Sequence, residues 1–491
     1  MIDKKQIIYN RFIGRICKIS FIETLQTIWG YIINLQFNKK IPSDIETPPK
    51  YNLHPDSNYK RSVGIGEWEF DIILLYSILY SPKETSAWYS LKKFSYMRQV
   101  VNDIRLIRDE IDKSIIPEKE SVFKEFFRIM HRQFLWQQHI NYTYTYRFYR
   151  IFNHPYLYDL IKKKTNLDLR DLYRTGLLLT GYFINNFSSS LQIKTPLIPQ
   201  ETFHSFLDFF SIDTSDFIKK YKDKFTFDDA FLYRFNPLRS YPILIHKENL
   251  YCPIPTYIIW KITNGIYYDI VNEKGFDKAF GKSYEDYCGF VFKKVITKKG
   301  IQIIPEISYG KPNKKSSDWI LEENNTFLFI ECKAKRLRLD SITRFNDNDD
   351  LRNDIDKMIG FIFQVYKSVN DAIYKRIPNI FITDSTEIYL IILTLDEWHL
   401  DLDPFLNKQI KSDLISKFEE AQMDTNLIER YPYLVRSIGF FEGDCQLINK
   451  FGLHIFYQKL ISNTLSDLSD NFPYEDLFKT EIDTELLPEI K

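Results

Sequence analysis

Two short apolar runs, Trp319-Ile320-Leu321 and Phe327-Leu328-Phe329-Ile330, flank a polar tip, and each ends in chemistry. Ser317-Asp318 leads into the first run, and the second runs into Glu331-Cys332-Lys333. The pattern reads as two strands folded into a hairpin. Alternate side chains of a strand share a face, so Glu331 and Lys333 project together while Cys332 points away. Polar groups gathered at the ends of otherwise apolar strands are costly to place unless they bind something. A divalent cation and a phosphate are suitable partners, because hard oxygen ligands hold Mg²⁺ and an ammonium attends an attacking water or a phosphate. A Glu-x-Lys on its own is a common solvated edge pair worth under about 1 kcal/mol, so its surroundings matter.

Those surroundings have a definite order. Phe280, Tyr284, Tyr287, Val291 and Val295 fall at helical spacing before the hairpin, and Ile301 to Ile307 supplies a strand between. After the hairpin, Ile355, Ile359, Ile362, Tyr366, Val369 and Ile373 repeat at alternating three and four, which predicts an amphipathic helix. Ile388 to Leu393 is an apolar run too short for a buried helix and rich in β-branched residues. The expected order is therefore helix, three strands, helix, strand.

This order, with Asp318, Glu331 and Lys333 in place, resembles the PD-(D/E)xK, or restriction-endonuclease-like, nuclease superfamily over residues 276–395. Ser317 stands where the family pattern has proline. The resemblance implies an α+β fold with an αβββαβ nuclease core and Mg²⁺-dependent hydrolysis of phosphodiester bonds, with Mn²⁺ as a substitute ion. It implies that Asp318, Glu331 and the backbone carbonyl of Cys332 hold the metal, and that Lys333 serves the water and the transition state. Glu285 resembles the first-helix glutamate that many members direct at the metal-bound water. Gln364 resembles the glutamine that some branches place on the second helix. Glu306 is a weaker candidate on the first strand. DNA is favoured over RNA from experience of the superfamily. Members that join this core to a large unrelated domain often serve bacterial defence against phage or plasmids, which is an analogy of fold alone.

Charge supports a polyanionic partner only locally. The chain's formal net charge is +1, but Phe290 to Asp340 holds eleven Lys/Arg against six Asp/Glu. Such a patch attracts a phosphate backbone in a salt-dependent way. Lys335, Arg336 and Arg338 continue past the Glu-x-Lys strand as candidate phosphate contacts. Tyr142 to Arg150 interleaves aromatics with arginines, which reads either as a stacking surface led by Tyr144 and Arg147 or as core in an aromatic-rich chain.

A polar stretch from Pro42 to Gly66 reads as a linker, Trp68 to about Asn186 reads as mostly helical, and after a break from Ser188 to Pro199 a shorter helical stretch runs around Phe203 to Phe225. The expected division is a mainly helical recognition or regulatory domain at 1–245, the nuclease-like domain at 246–400, and a helical extension at 401–491. The last residues, Glu475 to Lys491, carry six acids and two lysines and read as a loosely packed, solubilising end.

Other chemistries find no support. The five cysteines are scattered, with no Cys-x-x-Cys or Cys/His cluster, so neither a disulfide framework nor a zinc site is expected. No Gly-x-Ser-x-Gly elbow or Walker-type loop occurs, and no run approaches the ~18 apolar residues of a membrane span. A cytoplasmic location away from membranes is expected, with a protein partner or homo-oligomer left open. The alternatives are an RNA-cleaving nuclease of the same fold, a catalytically inactive nucleic-acid-binding module, and a protein-interaction module using its basic surface.

Overall fold

The computed structural model describes residues 3–47, 64–83, 88–115, 129, 136, 141–191, 197–228, 230–311, 313–336, 348–400 and 404–488. The architecture is α+β, and the chain divides into two compact units. The first comprises residues 1–141, 158–272 and 483–491, and the second 142–157 and 273–482. The boundary expected at 245 falls inside the first unit. The region from 401 onward is shared between the two units. Among the described residues no helix is long and apolar enough to cross a membrane.

The first unit is mainly helical. Its amphipathic helix Phe94–Ile115 buries Met97, Val100, Val101, Ile104 and Ile107, the face expected from their spacing. A four-stranded mixed sheet built from Ser188–Ser190, Asn249–Tyr251, Ile243–His246 and Ser211–Asp213 accompanies the helices.

The second unit is organised around a five-stranded sheet. In chain order its main elements are helix α1 (Phe276–Val295), strands β1 (Gln302–Pro305), β2 (Trp319–Glu323) and β3 (Thr326–Lys333), helix α2 (Asn348–Ile373), and strands β4 (Glu387–Thr394) and β5 (Tyr433–Ser437). The strands lie in the order β5-β4-β3-β2-β1. The β1–β2 and β2–β3 pairs are antiparallel, whereas β3–β4 and β4–β5 are parallel. The expected helix, three strands, helix and strand are all present. A two-residue ladder, Ser308–Tyr309 against Lys314–Lys315, is inserted before β2, and β5 comes from the region expected as a helical extension.

Burial explains the pattern. Phe280, Tyr284, Tyr287, Val291 and Val295 of α1 are buried, as are Ile355, Ile359, Ile362, Tyr366 and Val369 of α2. The middle of the sheet, including Phe329, Ile330, Leu390, Ile391 and Ile392, is sealed from solvent, which is why these strands read as continuous apolar runs rather than alternating ones. Asn324 and Asn325 both adopt positive φ, 48° and 66°, and link β2 to β3. A two-residue turn of this kind suits the twist of a hairpin and pins its register. Residues 475–488 are not loose, because Phe478, Ile482 and Leu486 are buried. Apolar residues spaced among the acids anchor them.

Candidate active site

Strand register brings the site together. The hairpin pairs Glu323 with Thr326 and Trp319 with Ile330, so one step further Asp318 stands across from Glu331. On the other side β1 pairs Pro305 with Trp319, so Glu306 stands across from Asp318. Three carboxylates therefore line up across three adjacent strands. Like charges directly opposite one another repel, and a fold that keeps such a row needs positive charge beside it.

Lys333 supplies part of that charge. Its Nζ lies 2.6 Å from Glu331 Oε1 and 5.1 Å from the centre of the Phe361 ring on α2. Glu331 is fully buried, and its other oxygen, Oε2, has no hydrogen-bond partner. Asp318 Oδ2 accepts the Cys332 backbone N–H at 2.7 Å. Burial, followed by the facing Asp318, pushes the Glu331 carboxyl up to about 8 against the partial relief of Lys333. Burial also pushes Asp318 up to about 6, with Lys333 and the Cys332 N–H opposing and Glu285 and Glu306 adding to it. For Lys333, burial favours the neutral amine, but Glu331 and Asp318 outweigh it and raise the ammonium.

Helix α1 delivers Glu285. Gly289, one turn on, has no side chain because the Trp319 indole occupies the space; a Cβ there would lie 2.0 Å from Trp319 Cζ2. This close approach lets Trp319 Nε1 donate to the Glu285 carbonyl at 3.3 Å, which holds Glu285 beside the start of β2. Its carboxylate pairs with Lys282 at 2.7 Å.

Helix α2 supports the other side. Phe361 meets Lys333, and Ser368 Oγ accepts the Ser317 backbone N–H at 2.9 Å. Gln364 is exposed on the same stripe, one turn from each. A proline at position 317 would have no N–H to make this bond.

The expected phosphate contacts fare differently. Lys335 Nζ lies 3.3 Å from Asp354, and Arg336, buried, lies 2.5 Å from Asp396. Arg338 lies outside the described residues. Arg147 is buried, and its guanidinium clamps Glu442 through Nε at 2.8 Å and Nη2 at 2.6 Å, with the Tyr287 hydroxyl donating to the same carboxylate at 2.7 Å. Tyr144 is half-buried, and its ring lies 5.1 Å from that of Phe148, centre to centre, with the two planes tilted 60° apart. Tyr146 and Phe148 are buried. Thr145 to Phe148 of this segment are core, Tyr142 and Arg150 at its ends are exposed, and Arg147 spends its charge internally.

The residues fit a hard divalent cation. A buried, unpartnered carboxylate oxygen beside a second carboxylate of raised pKa is the chemistry that a cation relieves. Among the described residues no group of three or more His, Cys, Asp or Glu is arranged to hold a metal ion. Mg²⁺ suits the smaller set, because it commonly takes one or two carboxylates and completes its shell with water and phosphate oxygens.

No family model and no curated protein matches the chain. Among solved structures, the small subunit of the heterodimeric restriction endonuclease R.BspD6I aligns at 15% identity and a TM-score of 0.21, covering 45% of this chain and 97% of that one. A likeness of that size carries no argument, and the functional reading rests on the chain's own residues.

Proposed function

We propose that the second unit is a restriction-endonuclease-like core and that the protein is a Mg²⁺-dependent endonuclease that hydrolyses phosphodiester bonds in DNA, with Mn²⁺ able to replace Mg²⁺. The observation that carries this reading is the buried Glu331, paired through one oxygen with Lys333 and unpartnered at the other, with Asp318 facing it across the hairpin.

In this reading Asp318, Glu331 and the Cys332 carbonyl would hold the ion. When bound, Mg²⁺ supplies Lewis-acid polarisation of a phosphoryl oxygen and acidifies water. Lys333 orients the attacking water and offsets negative charge that grows on the phosphoryl group. Glu285, whose charge adds to the rise of the Asp318 carboxyl, would receive the proton that the water gives up. Gln364, exposed one turn from Phe361, contacts the water or a phosphate oxygen. The water oxygen bonds to phosphorus as the ester P–O bond breaks, and the leaving oxygen takes up a proton.

The first unit would recognise a trigger, a nucleic acid or a partner. A role in cytoplasmic defence against phage or plasmids rests on analogy of fold alone. The direct test incubates the purified full-length chain with plasmid, linear duplex, single-stranded DNA and RNA, in Mg²⁺ and in EDTA. Cleavage of DNA in Mg²⁺ alone is the expected result. Cleavage of RNA only moves the assignment to a ribonuclease, and binding without cleavage of any substrate moves it to an inactive nucleic-acid-binding module.

A further inference from the structure

We infer that Lys315 is a substrate-binding residue of this site, whose ammonium leaves Glu306 and takes a backbone phosphate of duplex DNA beside the scissile bond. The inference rests on the nuclease reading above and names a residue absent from the family pattern.

Its placement is built into the fold. Lys314 and Lys315 are adjacent residues of the short ladder inserted before β2, so they point to opposite faces. Lys314 points to helix α2, where Asp371 accepts from it at 3.2 Å, from Tyr309 Oη at 2.8 Å and from Arg376 Nη1 at 2.6 Å. Tyr309 is the cross-strand partner of Lys314, so both are bolted to one carboxylate. The base of the ladder is closed by Ser316 N–H donating to the Ile307 carbonyl at 2.9 Å and Ile307 N–H donating to Ser316 Oγ at 2.8 Å. Lys315 is left on the other face, 2.8 Å from Glu306, which stands across from Asp318. The chain thus holds a cation at the rim of the carboxylate row on a ladder tied to α2 through Lys314 and Tyr309.

Exposure separates the cations that can change partners from those that cannot; besides Lys315 it admits Lys282, 56% exposed beside Glu285, which sits on α1 rather than across from Asp318. Lys315 is 63% exposed and its pair with Glu306 is open to solvent, so the contact is worth under about 1 kcal/mol and is cheaply exchanged. Lys335 is tied to the fully buried Asp354, and Arg336 is itself only 5% exposed. Lys333 is committed to Glu331. A divalent ion on Asp318 and Glu331 would reduce the negative field that holds Lys315 inward, so metal loading and DNA binding reinforce each other.

The test measures binding of a labelled linear duplex DNA to the full-length chain in Mg²⁺, in a Lys333→Ala background, over a series of salt concentrations. Lys315→Ala is expected to weaken binding roughly three- to tenfold and to reduce the slope of log K against log salt by ~0.9, the loss of one phosphate contact. Lys315→Arg is expected to restore both. Lys459→Ala, on the helix Leu453–Ile461 beside the hairpin-turn end of the sheet, is expected to change neither. Affinity and slope unchanged by Lys315→Ala would overturn the inference. If they are unchanged while cleavage by the otherwise wild-type chain still needs Mg²⁺ and Lys333, the nuclease reading stands and only Lys315 falls. A background chain that binds no duplex would overturn the inference, and the nuclease reading falls with it only if the wild-type chain also cleaves none of the plasmid, linear, single-stranded and RNA substrates.

Discussion

Glu331 and Lys333, two residues apart on one strand, share a face so that Lys333 Nζ sits 2.6 Å from Glu331 Oε1 while Glu331 Oε2 stays buried without a partner. In the proposed reading the second oxygen is the one that would meet the ion. Lys333→Ala removes the ammonium but neither carboxylate. It should lower the cleavage rate by about 100- to 1000-fold while leaving divalent-ion binding measurable by calorimetry. Undiminished cleavage would remove Lys333 from the site.

Asp318→Asn keeps the shape of the side chain but takes away its negative charge. Mg²⁺ affinity should fall at least about tenfold, and cleavage with it. Calorimetry showing the same affinity as the wild type would mean that Asp318 does not touch the ion.

The raised carboxyls make stability depend on pH in a defined direction. Glu331 is pushed up to about 8 and Asp318 to about 6, chiefly by burial. Between the ordinary carboxylate range and those values the folded chain holds more protons than the unfolded one, so stability falls as pH rises through that window. In EDTA the thermal midpoint should decline from about pH 5 to about pH 8, corresponding to a few kcal/mol in order of magnitude. Glu331→Gln should flatten the decline. Mg²⁺ should offset it at the alkaline end, because the ion competes with protons for the same oxygens. A midpoint that rises across this range would contradict the assigned shifts.

Gly289→Ala sets two effects against each other. Helix propensity favours alanine by about 1 kcal/mol, but the new Cβ would lie 2.0 Å from the Trp319 ring, a collision between helix backbone and a packed indole. The clash should win, with net destabilisation of about 1–3 kcal/mol or more, and cleavage should fall further as Glu285 moves away. Combining it with Trp319→Leu should recover part of the stability loss. Denaturant titration of the single and double variants checks both.

Arg147→Ala should act on stability. It leaves the buried Glu442 carboxylate without its guanidinium, at a cost of about 3–5 kcal/mol. DNA affinity of the fraction that remains folded should match the wild type. A selective loss of DNA binding at unchanged stability would return Arg147 to the binding surface.

Elements with strong periodicity were legible directly. The spacing of Phe280 to Val295 and of Ile355 to Val369 named both the helices and their buried faces. Hydrophobic burial sets that spacing locally, within one element. The facing of Asp318 and Glu331 was nearly legible too, because a two-residue turn at Asn324-Asn325 fixes the arithmetic of the hairpin. The grouping of chain segments was not. Tyr142 to Leu157 belongs to the second unit and β5 arises beyond residue 430, since nothing in a segment's own pattern says which surface it will cover.

The amino-acid sequence by itself determined which strand ends carry carboxylates and an ammonium, and which faces of the flanking helices are apolar. These depend on residue type and on periods of two and 3.6, which are properties of a single element. Only the tertiary structure decided which charges are available. It paired Arg147 with Glu442 and Arg336 with Asp396, brought Glu306 into line with Asp318, and left Lys315 exposed at the rim. Burial and pairing arise between residues distant in the chain, and they alone determine whether a charged side chain stabilises the fold or remains free to meet a ligand.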